Sequence, residues 1–389
     1  MRREFLPFGR PSFGAAEIDA VTRVLKSGWV GMGQETVAFE QELAVAIGAV
    51  DVVTVDSCTS ALFLSLLTLG VGPGDEVICP SLTWCSTANA ALYLGARVVF
   101  CDVDADTLCV TPETVRPLLT PKTKAVMVVH MGGLAADVTA LRSALPPHVA
   151  IVEDAAHALG SRYASGATVG SLGNPTCFSF YANKNLSTGE GGAVAVSDVA
   201  VATRIRSLRQ HGLSSDAWKR YTHPQNALSF RIEELGYKMN YTDLQASIGR
   251  VQLQRQSEFA AHRLAIAERY RTRLADCPLP LPFQHHATHR DHARHLLVTL
   301  LPIEQMQSTR NETLMALRRR NIGAAIHYVP LHRESVYADA VRAPLPTTEW
   351  LADRIMTLPI SVSMTLDDVD EVCDHLNEVL AMPRARLAS

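Results

Sequence analysis

The 389-residue sequence lacks a CxxC pair, a long hydrophobic run and an excess of charge of one sign. Its eight cysteines are scattered, so nothing points to a disulfide scaffold, and a reducing cytoplasm is expected. The most apolar stretch, residues 61–71, is too short to span a bilayer, and residues 1–11 contain no signal-peptide core. With 36 basic against 39 acidic residues, binding to nucleic acid through bulk positive charge is excluded. We therefore expect a cytoplasmic protein that binds neither nucleic acid nor membranes.

Short β-branched runs alternate with helical patterns between residues 52 and 196. This alternation predicts an α/β fold with a mostly parallel sheet covered by helices on both faces. The predicted strands are Val52–Val55, Glu76–Cys79, Arg97–Cys101, Lys124–Val129, Ala150–Glu153, Thr176–Phe180 and Ala193–Val196. The helical patterns between them are Thr59–Leu69, Ser86–Leu94 and Thr139–Leu145. Because ligands bind at the carboxyl ends of strands in such sheets, we looked for chemistry at those ends.

The pattern changes beyond residue 240. Asp243–Leu274 predicts one long helix, and the loop 279–295 that follows is rich in proline and histidine. The elements expected after this loop are Leu296–Leu301, Thr313–Arg320, Ala324–Val329 and Asp367–Leu380. We therefore expect a large domain of residues 1–255 and a small α+β domain of residues 256–389, with the N-terminal segment packed on the small domain.

The first candidate site lies where the strand ending at Val55 turns into a helix. Ser57, Thr59 and Ser60 bring hydroxyl groups to the positive end of the helix dipole, beside free backbone N–H groups. Such a turn can bind a phosphate. Ordinary N-capping by Ser57 or Thr59 explains the same residues, and taken alone it is the more common case.

The second candidate site is the end of the strand that carries Glu153 and Asp154. A carboxylate at this position can pair with a protonated ring nitrogen of a ligand, and His157 could hydrogen-bond to the carboxylate and fix it. Capping of the next helix by Asp154 is an equally good explanation.

The third candidate site is Lys184, which stands between a buried aromatic strand and a glycine-rich turn. A lysine near apolar surface loses solvation, and its amine then becomes nucleophilic and able to form Schiff bases with carbonyl groups. Ser179, earlier on the same strand, could add a hydroxyl to a phosphate site. The alternative is a surface lysine whose stem lies along apolar neighbours.

Pyridoxal 5′-phosphate has the three chemical groups that these sites would bind: a phosphate, a pyridinium nitrogen and an aldehyde. Trp84 could offer a flat surface for its ring, although a tryptophan in the core needs no such explanation.

Motifs along nearly the whole chain resemble the DegT/DnrJ/StrS family of nucleotide-sugar aminotransferases. The resemblance rests on Gly28-Trp-Val, Glu153-Asp-Ala-Ala-His, Lys184-Asn-Leu-Ser-Thr-Gly-Glu-Gly-Gly, His327-Tyr and Leu358-Pro. It implies the type I fold of pyridoxal-phosphate enzymes and a homodimer with shared active sites. It further implies that a keto group on a nucleotide-linked sugar is converted to an amine, with L-glutamate as the donor.

The resemblance also implies roles for individual residues. Lys184 would bond covalently to the cofactor and move the proton, Asp154 would pair with the ring nitrogen, and His157 would support Asp154. The remaining residues with implied roles are Cys58, Thr59, Ser60 and Ser179 at the phosphate, Trp84 on the ring, Lys238 and Asn240 from the partner subunit, and Tyr181, His327 and Tyr328 on the substrate side.

Two other functions stay open at this point. One is a pyridoxal-phosphate lyase or dehydratase acting on a sugar, and the other is a catalytically idle regulatory member. Lys184 disfavours the dehydrating members of the family, which carry histidine at that position. The histidines of the loop 279–295 fit no zinc-binding spacing, so we expect that loop to be solvated and to bind no metal. These histidines are His285, His286, His289, His292 and His295.

Overall fold

A computed structural model describes residues 2–214, 231–277, 279–284, 292–340 and 343–381. A seven-stranded sheet forms its centre. The strands are β1 (Asp51–Val55), β2 (Glu76–Pro80), β3 (Arg97–Cys101), β4 (Thr123–Val129), β5 (Ala150–Asp154), β6 (Thr176–Ser179) and β7 (Gly192–Val196). Each lies within one residue of its predicted bounds, because β-branched runs between turn residues give the strongest local strand signal.

The strand order is β1-β7-β6-β5-β4-β2-β3, and only β7 runs antiparallel to its neighbours. The prediction of a mostly parallel sheet is therefore confirmed. Neighbouring residues on a strand enter different cores: Val52 packs in one hydrophobic cluster and Val53 in another. Both faces are thus covered, as the continuous apolar character of the strands requires.

Seven helices accompany this sheet in the first part of the chain. They are α1 (Ala15–Ser27), α2 (Gln34–Ile47), α3 (Cys58–Thr68), α4 (Cys85–Leu92), α5 (Pro112–Val115), α6 (Val138–Ala144) and α7 (Val199–Leu208). The patterns predicted α3, α4 and α6, whereas α1, α2, α5 and α7 were not predicted.

The long helix predicted over 243–274 is two helices, α8 (Asp243–Gln254) and α9 (Gln256–Leu274). Arg255 interrupts them with φ −89° and ψ 0°, outside the helical region. A single continuous helix was therefore wrong, and side-chain periodicity alone could not reveal a break of one residue. The domain boundary at residue 255 stays a prediction.

The C-terminal part contains β8 (Leu297–Leu300) paired antiparallel with β9 (Ile355–Leu358), and the helices α10 (Arg310–Arg319), α11 (Pro346–Ala352) and α12 (Leu366–Ala381). All of these elements except α11 contribute to a third hydrophobic cluster, which Leu6 of the N-terminal segment joins, whereas Leu351 of α11 packs in the first cluster. The element expected at Ala324–Val329 forms no strand, and within it only Ala325 pairs, with Thr357. Every helix in the described ranges is too short or too polar to cross a membrane.

The prediction that the histidine-rich loop is solvated is wrong for the two of its histidines that the structure describes, His292 and His295. His292 and His295 are only 5% and 4% exposed, because the end of the loop packs against the sheet domain. His285, His286 and His289 lie outside the described residues. Among the residues that are described, no three potential ligands are grouped to hold a metal ion.

Asp243, the first residue of α8, caps helix α2 from a distance of more than 200 residues. Its carboxylate accepts hydrogen bonds from the backbone N–H groups of Gly33 at 2.7 Å and Thr36 at 2.9 Å, and from the Thr36 hydroxyl at 2.7 Å. The first N–H groups of a helix have no acceptor within the helix, and the buried carboxylate of Asp243 supplies one.

We predict that Asp243→Ala lowers the free energy of unfolding by about 3 kcal/mol, because several buried donors lose their acceptor together. Asp198→Ala is the matched control, since Asp198 caps α7 at an exposed site and its loss costs about 1 kcal/mol. Denaturant unfolding at one fixed protein concentration measures both changes. Equal losses in the two variants would contradict the role of Asp243.

Candidate active site

A cavity of about 510 Å³ opens at the carboxyl edge of the parallel strands. Asp154 and Val129, the last residues of β5 and β4, reach it directly. Its walls are formed by Phe8, Ser57, Cys58, Thr59, Leu62, Thr83, Trp84, Ser86, Val129, Asp154, Ala156, His157, Ser179, Tyr181, Asn183, Lys184, Glu190, Gly191, His327 and Tyr328. The cavity therefore brings together ten of the thirteen predicted site residues, from segments far apart in the chain.

Lys184 lies in the turn that follows β6, where its backbone N–H donates to the carbonyl oxygen of Tyr181 at 2.9 Å. Burial lowers the pKa of its amine from 10.5 to about 8. The nearby Cys58 and Asp154 act to raise this pKa, but burial has the larger effect. A substantial fraction of the amine is therefore neutral near physiological pH, which is the form that attacks a carbonyl group.

The Asp154 carboxylate is buried and held by two donors. The Thr87 hydroxyl donates to it at 2.7 Å and the Ala156 N–H at 3.2 Å. Burial nevertheless raises the pKa of Asp154, so its charged form lacks part of the solvation it would have in water. A cationic ring nitrogen would supply the missing stabilisation.

The sequence suggested that His157 hydrogen-bonds to Asp154, but the structure shows a different partner. The His157 Nε2 lies 3.0 Å from the hydroxyl oxygen of Tyr328, and its ring stacks on that of His295 at a centroid distance of 4.6 Å. Thr87 and Ala156 take the place expected for it on the carboxylate. Thr87, His295 and Tyr328 lie far from this motif in sequence, so the motif alone could not show their contacts.

The N-terminus of α3 forms the wall at the end of β1. Ser57 caps this helix by accepting the Ser60 N–H at 3.1 Å, and Ser57, Cys58 and Thr59 all line the cavity, so capping and a phosphate site are compatible here. Gly192 of β7 packs directly beneath, and a Cβ there would lie 2.5 Å from the backbone of Ser57 and Cys58. Only glycine fits this close approach.

The hydroxyl groups near this helix end differ in direction. The Thr59 hydroxyl hydrogen-bonds to that of Ser86 at 2.7 Å at the cavity wall. Ser60 is not among the cavity-lining residues, and its hydroxyl donates to Asp56 at 2.5 Å. Ser179 lines the cavity, and its hydroxyl oxygen accepts the Tyr181 N–H at 3.4 Å.

Four aromatic side chains form the mouth and the C-terminal wall of the cavity. Trp84 is 60% exposed, with its ring 5.9 Å from that of Tyr328, and Tyr181 is also exposed. His327 bonds through Nδ1 to the Thr357 hydroxyl at 2.9 Å, and burial lowers its pKa to about 4. Of these four rings, those of Trp84 and Tyr181 are exposed, whereas those of His327 and Tyr328 are more buried parts of the wall.

Lys238 and Asn240 do not line the cavity of their own chain. The residue between them, Met239, accepts a backbone hydrogen bond from Asp56, close to the start of α3. Their contribution to a partner's site stays a prediction.

Sequence reasoning missed Thr87, which holds Asp154, and Phe8, which lines the cavity. Thr87 lies in the predicted helix one turn after Trp84, so a hydroxyl facing the sheet was available as a signal. Phe8 carried no local signal, because its position depends on the pairing of Leu6 with Ile322.

The groups along the wall fit pyridoxal 5′-phosphate. A partly neutral amine matches an aldehyde, a buried carboxylate matches a ring cation, and a helix N-terminus flanked by hydroxyl groups matches a phosphate ester.

Comparison with known proteins gives relatives over the whole chain. The family profile of DegT/DnrJ/EryC1/StrS aminotransferases matches residues 11–377. The chain is 41% identical over 385 residues to the spore coat polysaccharide biosynthesis protein SpsC of Bacillus subtilis (strain 168), covering 97% of this chain and 98% of SpsC.

Solved structures give the same result for the fold. The aminotransferase TlmJ from Streptoalloteichus hindustanus matches with a TM-score of 0.87 at 36% identity, covering 99% of this chain and 100% of TlmJ. The PLP form of Spr1654 from Streptococcus pneumoniae matches with a TM-score of 0.87 at 28% identity, covering 99% of this chain and 100% of Spr1654.

We predict that attachment of pyridoxal 5′-phosphate to the cofactor-free protein accelerates with pH and levels off near pH 8. The neutral amine is the reactive form, and its fraction rises about tenfold per pH unit below the pKa and saturates above it. Absorbance on rapid mixing measures the rate. Nα-acetyl-lysine amide, treated identically, corrects for titration of the cofactor itself. A rate that kept rising to pH 10 would contradict the lowered pKa of Lys184.

Proposed function

The chain belongs to the DegT/DnrJ/EryC1/StrS aminotransferase family, and on that basis we propose that it transfers an amino group from L-glutamate to the keto group of a nucleotide-linked sugar. Its cofactor is pyridoxal 5′-phosphate, and its fold is the type I fold of pyridoxal-phosphate enzymes, as the sequence predicted. The observation that supports the proposed reaction most directly is the shared cavity wall of Lys184 and Asp154.

The chemistry divides between the cofactor and the side chains around it. When bound, the cofactor carries the amino group between the two substrates and accepts the electrons released at the reacting carbon. Lys184 acts as the base that removes and returns the proton, because its lowered pKa lets it exist in both forms near neutrality. Asp154 keeps the ring nitrogen protonated, and Thr87 holds the carboxylate in place.

We assign the phosphate to the N-terminus of α3. Cys58 and Thr59 at the helix start and Ser179 on the opposite strand face the cavity there, and Ser60 fixes the loop through Asp56. Trp84 covers the cofactor ring. Lys238 and Asn240 reach the phosphate of the partner's site in a homodimer.

We infer that the sugar enters past Tyr181, an exposed residue of the cavity wall, and that His327 and Tyr328 lie on the substrate side. SpsC is named for spore coat polysaccharide biosynthesis, and we infer a related role in making an amino sugar for a cell-surface polysaccharide or an antibiotic. Nucleotide-linked sugars are made in the cytoplasm, so we also place the enzyme there.

Two alternatives are distinguished by the fate of the donor. A lyase or dehydratase would change the sugar without producing 2-oxoglutarate, and an idle regulatory member would bind the cofactor without turnover. The family membership favours the aminotransferase.

The first test uses the purified protein loaded with pyridoxal 5′-phosphate. Borohydride reduction and peptide mapping should place the cofactor adduct on Lys184. Incubation with L-glutamate should yield 2-oxoglutarate, after which borohydride should no longer attach the cofactor to Lys184. A panel of UDP-, GDP- and dTDP-linked keto sugars then identifies the acceptor. Reduction that labels another lysine, or a sugar reaction independent of an amino donor, would refute the proposal.

We predict that Asp154→Asn lowers kcat by about a thousandfold, because a neutral amide cannot hold the ring nitrogen protonated. Asparagine has nearly the same shape as aspartate, so the substitution does not change the size of the cavity. Asp137→Asn removes a charge at an exposed helix cap and serves as the control, with turnover unchanged. Near wild-type kcat in Asp154→Asn would show that the carboxylate does not stabilise the cofactor ring.

A further inference from the structure

His332 links the substrate side of the cavity wall to the edge of the large sheet. It follows the wall residue Tyr328 by four positions, and its side chain is only 10% exposed. The His332 Nδ1 lies 2.7 Å from the hydroxyl oxygen of Ser81, and the His332 backbone N–H donates to the same oxygen at 3.1 Å. Its Nε2 contacts the carboxylate of Glu349 on α11. One side chain therefore joins segments that are far apart in sequence.

The partners of His332 define the direction of its hydrogen bonds. Glu349 accepts hydrogen bonds from Arg333 and His332, which hold the pKa of Glu349 below its ordinary value. It is therefore a carboxylate and can only accept. The His332 Nε2 carries the hydrogen that Glu349 receives, so in the neutral ring Nδ1 is left to accept the Ser81 O–H.

Ser81 is a fixed anchor because it extends the sheet. It directly follows β2, it is fully buried, and its N–H donates to the carbonyl oxygen of Cys101 at the end of β3 at 3.3 Å. Its own carbonyl oxygen accepts the Leu331 N–H at 2.9 Å, and Leu331 packs in a hydrophobic cluster with residues of β2 and β3. Three hydrogen bonds therefore hold Leu331 and His332 to Ser81.

Glu349, the second partner of His332, is also attached to the sheet. Asp102 directly follows β3, and its carboxylate accepts the N–H groups of Thr347 at 2.9 Å and Thr348 at 2.7 Å. This carboxylate thus caps α11, the helix that carries Glu349. His332 is therefore held between two partners that are both fixed to the end of the sheet.

Residues close to this contact in sequence form the cavity wall. Trp84 follows Ser81 by three positions, Tyr328 precedes His332 by four, and the rings of Trp84 and Tyr328 lie 5.9 Å apart. Because Ser81 is fixed by the sheet, loss of its contact with His332 would release the segment of Tyr328 and leave that of Trp84 in place. The contact thus determines how closely the two sides of the wall approach each other.

We propose that Ser81, His332 and Glu349 are positioning residues for the sugar acceptor, because they hold the substrate-side segment 327–333 at a fixed distance from the sheet. The proposal rests on the proposed function, which places the sugar at this segment. None of the three lines the cavity, so they act through Tyr328 and not by direct contact. A nucleotide-linked sugar is much larger than glutamate and depends on more of the wall, so their loss acts on the sugar half of the reaction.

The test compares His332→Gln with His332→Asn in the holoenzyme. A glutamine amide can replace Nε2 and keep the contact with Glu349, whereas an asparagine amide can replace Nδ1 and keep the contact with Ser81. The acceptor is the member of the panel of UDP-, GDP- and dTDP-linked keto sugars that the wild type aminates fastest. His332→Gln should raise the KM for this sugar about tenfold, because a buried hydrogen bond is lost. His332→Asn should raise it by about threefold at most, since Glu349 is exposed.

The glutamate half-reaction serves as the internal control. Release of 2-oxoglutarate in a single turnover without sugar should stay within about twofold of the wild type in both variants, and kcat with the sugar should change as little. Ser81→Ala should repeat the effect of His332→Gln. Ser65→Ala removes an equally buried hydroxyl, which bonds to the Ala61 carbonyl oxygen within α3, and should match the wild type.

Hydrogen exchange of the holoenzyme measures the anchor without any substrate. The His332 amide should exchange about tenfold faster in Ser81→Ala, because its acceptor is lost. An unchanged KM for the sugar in His332→Gln, or an equal loss in both half-reactions, would overturn the proposal. Failure of the wild type to release 2-oxoglutarate from glutamate would instead refute the proposed function, and the exchange rate would still show whether Ser81 holds the segment.

Discussion

The burial of an amine and a carboxylate in one cavity is the constraint on which the site depends. Burial lowers the pKa of Lys184 to about 8 and raises that of Asp154, so each group is less stable in its charged form than it would be in water. A ligand with a cationic ring nitrogen and an aldehyde relieves both penalties, since the carboxylate gains a counter-charge and the amine reacts in its neutral form. The same desolvation that disfavours the isolated charges therefore favours a ligand that carries these two groups.

The pleat of β5 explains why two adjacent carboxylates have different roles. Successive residues of a strand face opposite sides, so Asp154 enters the cavity while Glu153 enters the core behind it. There Glu153 accepts hydrogen bonds from His130, Tyr163 and Asn174, which hold its pKa below the ordinary value although burial alone would raise it. Glu153 is thus fully satisfied by protein donors, whereas Asp154 retains capacity for a ligand. The two residues are chemically alike, and only their surroundings distinguish them.

The parts of the structure that sequence predicted well are those encoded locally. The seven strands, the turn before α3 and the unusual position of Lys184 each depend on residues close together in the chain. The missed features depend on distant partners: the break at Arg255, the capping of α2 by Asp243, and the bonding of His157 to Tyr328 instead of Asp154. His295 shows the difference most clearly. In sequence it belongs to a polar, histidine-rich loop, yet its stacking on His157 buries it in the wall behind the active site.

The cavity is completed by chain segments that do not belong to the sheet. Phe8, His327 and Tyr328 line it, and each is placed by contacts with the C-terminal core: Leu6 pairs with Ile322, and Thr357 of β9 bonds to His327. Strand β5 and the turn after β6 therefore supply Asp154 and Lys184, and residues placed by the C-terminal core supply another part of the wall. The Tyr328–His157 hydrogen bond joins these two parts within the cavity wall, so it links the C-terminal core to the residue three positions beyond Asp154.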